Sequence, residues 1–324
     1  MKRILVTGGV GFLGFHLTKS LLENGNQVIA LDNLRTSRLA NLKELKELKN
    51  FRFIETDITK PFYYEVDAIY NLACPASPMH YQADPISTMK TNVLGAINAL
   101  DLATNLSIPI LQSSTSEVYG DPALHPQTES YWGNVNPIGL RSCYDEGKRA
   151  AETLFCDYRR MQGTKVKIAR IFNTYGPNMK VEDGRVISNF IVQALRNEPL
   201  TIYGEGSQTR SFCFVDDMIK GLISFMESPE EIWGPINFGN PDEFTMTTLA
   251  EMIIELTHSR SKIVQTPLPL DDPLRRNPDI SKAKDILGWA PKNSLREGLI
   301  ATVPYFQKEL GLTDSKKSVP PIIN

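Results

Sequence analysis

At 324 residues the chain is long enough for one large or two interlocked domains and can bury a deep site. Its 41% hydrophobic and 22% charged residues are ordinary for a globular protein and exclude extensive disorder away from the ends. A formal net charge of -2 excludes general attraction to nucleic acid or an acidic membrane, so any anion site must be built locally. Cys74, Cys143, Cys156 and Cys213 form no close C-x-x-C pair, so no metal site or redox motif is indicated and reduced, cytoplasmic thiols are expected. No run reaches the length of a signal core or a bilayer span, so no membrane segment is expected.

The chain opens with the β-branched run "RILVT" (3–7), a glycine-rich turn, and helical spacing of Phe12, Leu17, Leu21 and Leu22. Strands follow at "QVIALD", "FRFIETD" and "VDAIYNLA", separated by crossover segments that include the helical "LKELKELK". A long helix is predicted from about Asp84 to Asn105, with Asp84 as N-cap and Pro85 in the first turn. The strand "IPILQSSTS", a loop rich in Pro, Gly and Trp, the helix "SCYDEGKRAAETLF" and the strand "KVKIARIF" complete the first half. This alternation predicts an α/β fold with a doubly wound parallel sheet.

Beyond about Tyr175 the elements shorten, with a helix predicted over Met246–Thr257. The division read from this change is a nucleotide-binding domain over 1–174, to which 212–240 returns. A smaller, interleaved C-terminal substrate domain takes 175–211 and 241–312. The polar, proline-bearing stretch 313–324 reads as a frayed tail.

"VTGGVGFLG" places Gly8, Gly11 and Gly14 at the first strand-to-helix junction. The first glycine allows a tight turn, the second close approach of a pyrophosphate to the helix N-terminus, and the third close packing on the sheet. Asp32 ends the second strand, where a carboxylate accepts from both adenosine ribose hydroxyls and repels a 2'-phosphate, favouring NAD over NADP. Arg35 nearby pulls the other way. Asp57 ends the third strand and suits either an adenine contact or a strand-end turn.

Tyr144 and Lys148 lie one helical turn apart, with Gly147 between them. Oxidation of a carbinol by NAD needs a base for the hydroxyl proton, and a free tyrosine with a pKa of ~10 is protonated at neutral pH. A neighbouring ammonium and an oxidised nicotinamide favour the phenolate, so Tyr144 is expected to be the base, with a lowered pKa, and Lys148 its electrostatic partner. Gly147 is expected to admit another backbone or the cofactor.

With the glycine turn, Asp32 and the Tyr-x-x-x-Lys pair in this order, the chain resembles the extended short-chain dehydrogenase/reductase family, which acts on nucleotide sugars through a Rossmann domain. The resemblance runs from Arg3 to about Leu310. It implies that Thr115 in "STSE" hydrogen-bonds the reacting hydroxyl, with Ser116 and Glu117 beside it. "ACPASP", "SCYDEGKR", "DGRVISNFI", "YGEGSQTRSF" and "DDPLRRNPDI" are similar to the branch that decarboxylates UDP-glucuronate. UDP-glucuronate is thus the expected substrate and NAD the expected cofactor, with a homodimer formed through the helices around 84–105 and 143–161.

Further assignments rest on the same resemblance. Arg276 is expected at the sugar end, and Glu117, beside the substrate carboxylate, is expected to have a raised pKa and to donate a proton. Phe12, Leu13, Asn33 and Thr36 are expected at the cofactor, as are Ile58, Leu72 and Thr91. Cys74, which replaces a serine in the family's Ala-Ser-Pro run, is expected beside the nicotinamide ribose. Arg185 and Arg210 are expected at the diphosphate, Asn173 as an amide donor, and Tyr203 against uracil. Tyr63, Lys90, Asn98 and Tyr158 complete the expected substrate contacts. A UDP-sugar 4-epimerase would carry the same redox pair. A non-catalytic NAD-binding sensor would be free to lose it, and both residues are present.

Overall fold

The computed structural model describes residues 1–267 and 275–312. The buried run Arg3–Thr7 forms strand β1, and the glycine turn behind it opens helix α1 (Phe12–Glu23). Then come β2 (Gln27–Asp32), α2 (Leu39–Lys46), β3 (Phe51–Glu55), β4 (Ala68–Asn71) and α3 (Pro78–Ala83). Helix α4 (Pro85–Leu106) starts where its sequence predicts, because the Asp84 side chain accepts from the Ser87 amide and Pro85 needs no intrahelical partner for its nitrogen. Strand β5 (Ile110–Thr115) ends in one 3-10 turn, Ser116–Tyr119, and a long loop leads to α5 (Ser142–Gln162) and β6 (Val166–Ile171).

Shorter elements follow: β7 (Thr174–Tyr175), α6 (Val186–Leu195), β8 (Leu200–Tyr203), β9 (Thr209–Ser211), β10 (Cys213–Phe214) and α7 (Val215–Glu227). The chain continues through β11 (Ile236–Phe238), β12 (Glu243–Thr245), α8 (Met246–Thr257), β13 (Ile263–Thr266) and β14 (Arg275–Arg276). It closes with α9 (Ser281–Leu287) and α10 (Leu295–Glu309), whose start is fixed by a reciprocal capping box between Ser294 and Glu297. The stretch 313–324, read as a tail, lies outside the described residues.

Seven strands pair in the order β11-β6-β5-β4-β1-β2-β3, and all these pairings are parallel. The direction of winding reverses between β1 and β4, which leaves a crevice at the carboxyl ends of the strands. Their shared register aligns Thr7 with Asn71 and Asn71 with Gln112. The Thr7 hydroxyl donates to Asn71 at 2.7 Å and the Asn71 amide to Gln112 at 2.7 Å, a buried polar ladder that satisfies all three side chains beneath the crevice.

Downstream, β11 joins the outer edge of this sheet beside β6, and α7 packs on α1 and β6. Strand β10 pairs with β7 in a separate two-stranded ladder. The remaining strands form two small sheets, β12-β9-β14 and β13-β8, packed with α6, α8 and α10. The consequence for the site is that β14 carries Arg276 to the crevice from far along the chain. None of the helices among the described residues is long and apolar enough to cross a membrane.

Candidate active site

The carboxyl ends of β1, β2, β4 and β5 open on one cleft, lined in its first part by Gly8, Gly11, Phe12, Leu13, Asp32, Asn33 and Thr36. Asp57, Ile58, Leu72, Cys74 and Thr91 line its wall, and Thr115, Ser116, Glu117, Tyr144, Lys148, Asn173 and Arg185 its far end. Gly8 has φ +65°, and a Cβ there would meet the Ala73 backbone at 2.8 Å, so only glycine makes the turn that exposes the first amides of α1. Those amides carry the positive end of the helix dipole into the cleft.

The Asp32 carboxylate accepts from the Leu34 amide at 2.8 Å, the Val10 amide at 3.2 Å and the Ser37 hydroxyl at 2.8 Å, which fixes it at the end of β2. Arg35, which had favoured a phosphate there, instead reaches Asp84 at 2.8 Å and Ser87 at 2.6 Å. An anion-binding turn followed by an acid at the end of the next strand, both lining one cleft, is the donor set a dinucleotide without a 2'-phosphate requires, so these residues fit NAD. Asp57 also accepts from the Thr59 amide at 2.9 Å, so it serves its own turn while facing the cleft.

Helix α5 carries Tyr144 and Lys148 on one stripe, both buried. Thr115 and Tyr144 line the same end of the cleft, and the Tyr81 ring of α3 stacks on the Tyr144 ring with centroids 5.0 Å apart and planes 7° apart. Lys148 donates to the Ser113 carbonyl at 2.8 Å and sits 5.8 Å from the Tyr144 ring centroid. The expected lowering of the tyrosine pKa is not produced by the chain's own groups. Burial, then Cys74, push it up more than Thr115 pulls it down. Burial also pushes Lys148 down from the usual lysine value. The cation left to act on the phenol is an oxidised nicotinamide, whose cofactor the cleft fits.

Gly147 admits neither a backbone nor the cofactor. A Cβ there would lie 2.8 Å from the Asn92 amide nitrogen, so the glycine lets the α4 side chain lie against α5. Close packing of these two helices is what its absent side chain provides.

Glu117 departs most from expectation. Arg141, at the start of α5, donates to its carboxylate at 2.6 Å, and Arg276 from β14 contacts its other oxygen. Burial pushes the Glu117 pKa up, but the charges and hydrogen bonds of Arg276 and Arg141 outweigh it and hold the carboxyl at about 2. The raised pKa expected for Glu117 is therefore corrected: in this geometry it is an anion at neutral pH. Arg276 also donates to the Ser116 hydroxyl at 3.4 Å and the Gly120 carbonyl at 3.0 Å. Arg185 pairs with Asp183, its terminal nitrogen 2.8 Å from the carboxylate.

Several of the expected substrate contacts are not among the residues lining this cleft. Asn98 donates to the Ile58 carbonyl at 2.8 Å and so braces the loop under the cleft, and Tyr158 donates to Asp101 at 2.6 Å across α4 and α5. Lys90 is exposed on α4, Tyr63 is 62% exposed, and Tyr203 is 49% exposed on β8. Arg210 on β9 donates to the Thr209 carbonyl at 2.9 Å and, like the other five, is not among the residues lining this cleft. The fold gives each a neighbour or a surface that spacing along the chain does not encode.

The sequence reading missed Arg141, Asp145 and Tyr81. Arg141 precedes Tyr144 by three positions and Asp145 by four, so helical spacing on "RSCYDEGK" carried the signal for the first two. Tyr81 had no such signal, because it reaches Tyr144 only through the packing of α3 on α5.

Residues 4–239 match the model of the NAD dependent epimerase/dehydratase family. UDP-glucuronic acid decarboxylase 6 of Arabidopsis thaliana is 57% identical over 311 residues, covering 96% of this chain and 90% of the relative. UDP-glucuronic acid decarboxylase 1 of Danio rerio is 51% identical over 319 residues, covering 98% and 76%. Among solved structures, the UDP-glucuronic acid 4-epimerase of Bacillus cereus, in complex with UDP-glucuronic acid and NAD, superposes with a TM-score of 0.84 at 28% identity, covering 95% and 99%. The sheet order, the glycine turn and these likenesses agree: the chain belongs to the NAD dependent epimerase/dehydratase family.

Proposed function

We propose that this chain is an enzyme that decarboxylates UDP-glucuronate to UDP-xylose and uses NAD as a resident cofactor. One observation carries the reading: β14 sets Arg276 against Ser116 and Glu117, directly beyond the Thr115–Tyr144 pair. A cation for the sugar's C6 carboxylate thus stands next to the groups that handle its C4 hydroxyl. The relatives' names support the same substrate.

NAD supplies the chemistry of taking a hydride from C4 and returning it. Tyr144 takes the C4 hydroxyl proton, with Thr115 holding that oxygen. A ketone at C4 is β to the C6 carboxylate, so carbon dioxide leaves by placing the C5–C6 electron pair on C5 and the C4 oxygen. Tyr144 and Thr115 then donate to that oxygen and stabilise the enolate. Lys148, anchored on the Ser113 carbonyl, holds its amine beside the phenol, and Arg276 orients the carboxylate that leaves. Arg185 and Asn173 line the cleft where the diphosphate would lie.

Incubation with UDP-glucuronate and a trace of NAD is expected to release one carbon dioxide per UDP-xylose formed, with no net accumulation of NADH. Mass analysis of the product reads this directly. UDP-galacturonate without gas release would instead assign a 4-epimerase, and binding of NAD without turnover would assign a sensor.

We further propose that two copies associate through α4 and α5. The exposed apolar side chains Ile86 and Leu94 on α4 and Met161 on α5 support a face for a second copy. Light scattering is expected to give twice the chain mass, and a monomer at micromolar concentration would refute the association.

A further inference from the structure

The decarboxylation proposed above has a proton balance that the described pair cannot close. Tyr144 takes a proton from the C4 hydroxyl and returns it, a net of zero. Carbon dioxide leaves as a neutral molecule and abandons its bonding electron pair on C5, so C5 regains a C–H bond only by taking one proton from outside the substrate. Each turnover therefore consumes one proton. Glu117, held as an anion between Arg141 and Arg276, does not carry it in the resting protein.

Asp145 follows Tyr144 in the first turn of α5 and is 7% exposed. Its Oδ1 is buried with no hydrogen-bond partner among the described residues, and so is the hydroxyl of Tyr81 on α3, whose pKa the Asp145 charge raises. A carboxylate oxygen buried without a donor loses its hydration and recovers little, which favours the neutral acid. Among the described residues, the charged and titratable groups around Asp145 are Arg141 and Glu146 on α5, Glu117 after β5, Arg276 on β14, Tyr81 on α3 and the neighbouring Cys143. Both oxygens of Glu117 are engaged by the two arginines, so Asp145 is a second carboxyl in a site whose cations already serve the first. Two such carboxyls do not both ionise readily, and the pair keeps one proton.

We propose that Asp145 is the proton store of this site, holding the proton of the Glu117–Asp145 pair at rest and supplying it through Glu117 to C5 in each turnover. The inference rests on the decarboxylase reading. When the C6 carboxylate shares Arg276, Glu117 loses part of the charge that holds it ionised and takes the proton from Asp145. After carbon dioxide leaves, the electron pair at C5 forms the new C–H bond with that proton. Asp145 stays behind as the anion beside Arg141 until solvent protonates it. Burial first, and then the charge of Glu117, push the Asp145 pKa up to about 7, against the pull of Arg141 and Arg276. Asp145 is thus a positioning and storage residue that acts through Glu117.

The test compares the parent and Asp145→Asn holoenzymes in carbon dioxide release across pH. For the parent, kcat is expected to fall about tenfold per pH unit once the pH passes the value where Asp145 empties. Asp145→Asn is expected to lose about 10²-fold in kcat at mildly acidic pH, with little change in KM, and to lack that fall through neutral pH. A variant with the parent's kcat and the parent's pH profile overturns the proposal. The infrared band of a protonated, buried carboxyl group in the native holoenzyme gives a measurement that does not depend on the variant folding. It should be present below about pH 6 and vanish through neutrality, and its absence in acid overturns the proposal as well. A parent chain that releases no carbon dioxide refutes the decarboxylase reading itself and removes the destination of the proton.

Discussion

Tyr144→Phe is expected to lower kcat for carbon dioxide release by about 10²- to 10⁴-fold while the chain still folds and still binds NAD. The substitution deletes one oxygen and keeps the ring, so the stack on Tyr81, with centroids 5.0 Å apart, and the packing of α3 on α5 persist. What is lost is the acceptor for the C4 hydroxyl proton and a donor to the enolate oxygen, both needed at the barrier rather than in binding. The range corresponds to about 2.7–5.4 kcal/mol of transition-state stabilisation. Thr115 remains on the same oxygen and explains why turnover should not vanish altogether. Steady-state kinetics, with cofactor content and melting temperature as controls, decide the matter. A kcat within a few-fold of the parent would show that another group is the base.

The second large effect concerns stability. Arg170→Ala is expected to destabilise the fold by about 3–5 kcal/mol, because it strands the buried Glu152 carboxylate. Arg170, on β6, grips Glu152 with two nitrogens, at 2.9 and 2.7 Å, and the two side chains are only 11% and 13% exposed. The same guanidinium donates to the Tyr119 hydroxyl at 3.0 Å and lies 4.9 Å from that ring's centroid. Removing it leaves Glu152 with the Ser114 hydroxyl as its remaining hydrogen-bond partner among the described residues, too little to offset the desolvation of a full charge. Removing both charges together, as in Glu152→Gln with Arg170→Met, should cost less than the single change. Urea unfolding measures both, and a single-variant loss under about 1 kcal/mol would mean that water reaches Glu152 freely. Ser114 adjoins Thr115, so the same variant should also loosen the strand end that presents the Thr115 hydroxyl.

These expectations show how unevenly the chain discloses its site. The end of β1, the acid at the end of β2 and the Tyr-x-x-x-Lys stripe were readable because each is a local pattern. A turn that needs Gly8, a strand that ends at Asp32 and a helix that repeats every 3.6 residues are decided by neighbours a few positions away. Helix α10 was readable in principle from Ser294 and Glu297 but was passed over amid the prolines that surround it. The surroundings of Asn98 and Tyr158 were not readable, because a side chain's position along a helix does not say which neighbouring element will cover it. Asn98 turned to the Ile58 carbonyl and Tyr158 to Asp101.

By itself, then, the sequence determined the doubly wound fold, the nucleotide turn and the pair Tyr144 and Lys148, since periodicity and short spacing specify local conformation and which face a residue shares. Only the tertiary structure decided the protonation of the site. Arg276 reaches Glu117 across 159 positions of chain, Arg141 closes on the same carboxylate, and burial raises Tyr144 and Asp145. Charge states depend on solvent exclusion and on which charges stand within a few ångströms, and neither exists until strands and helices from distant parts of the chain have packed together.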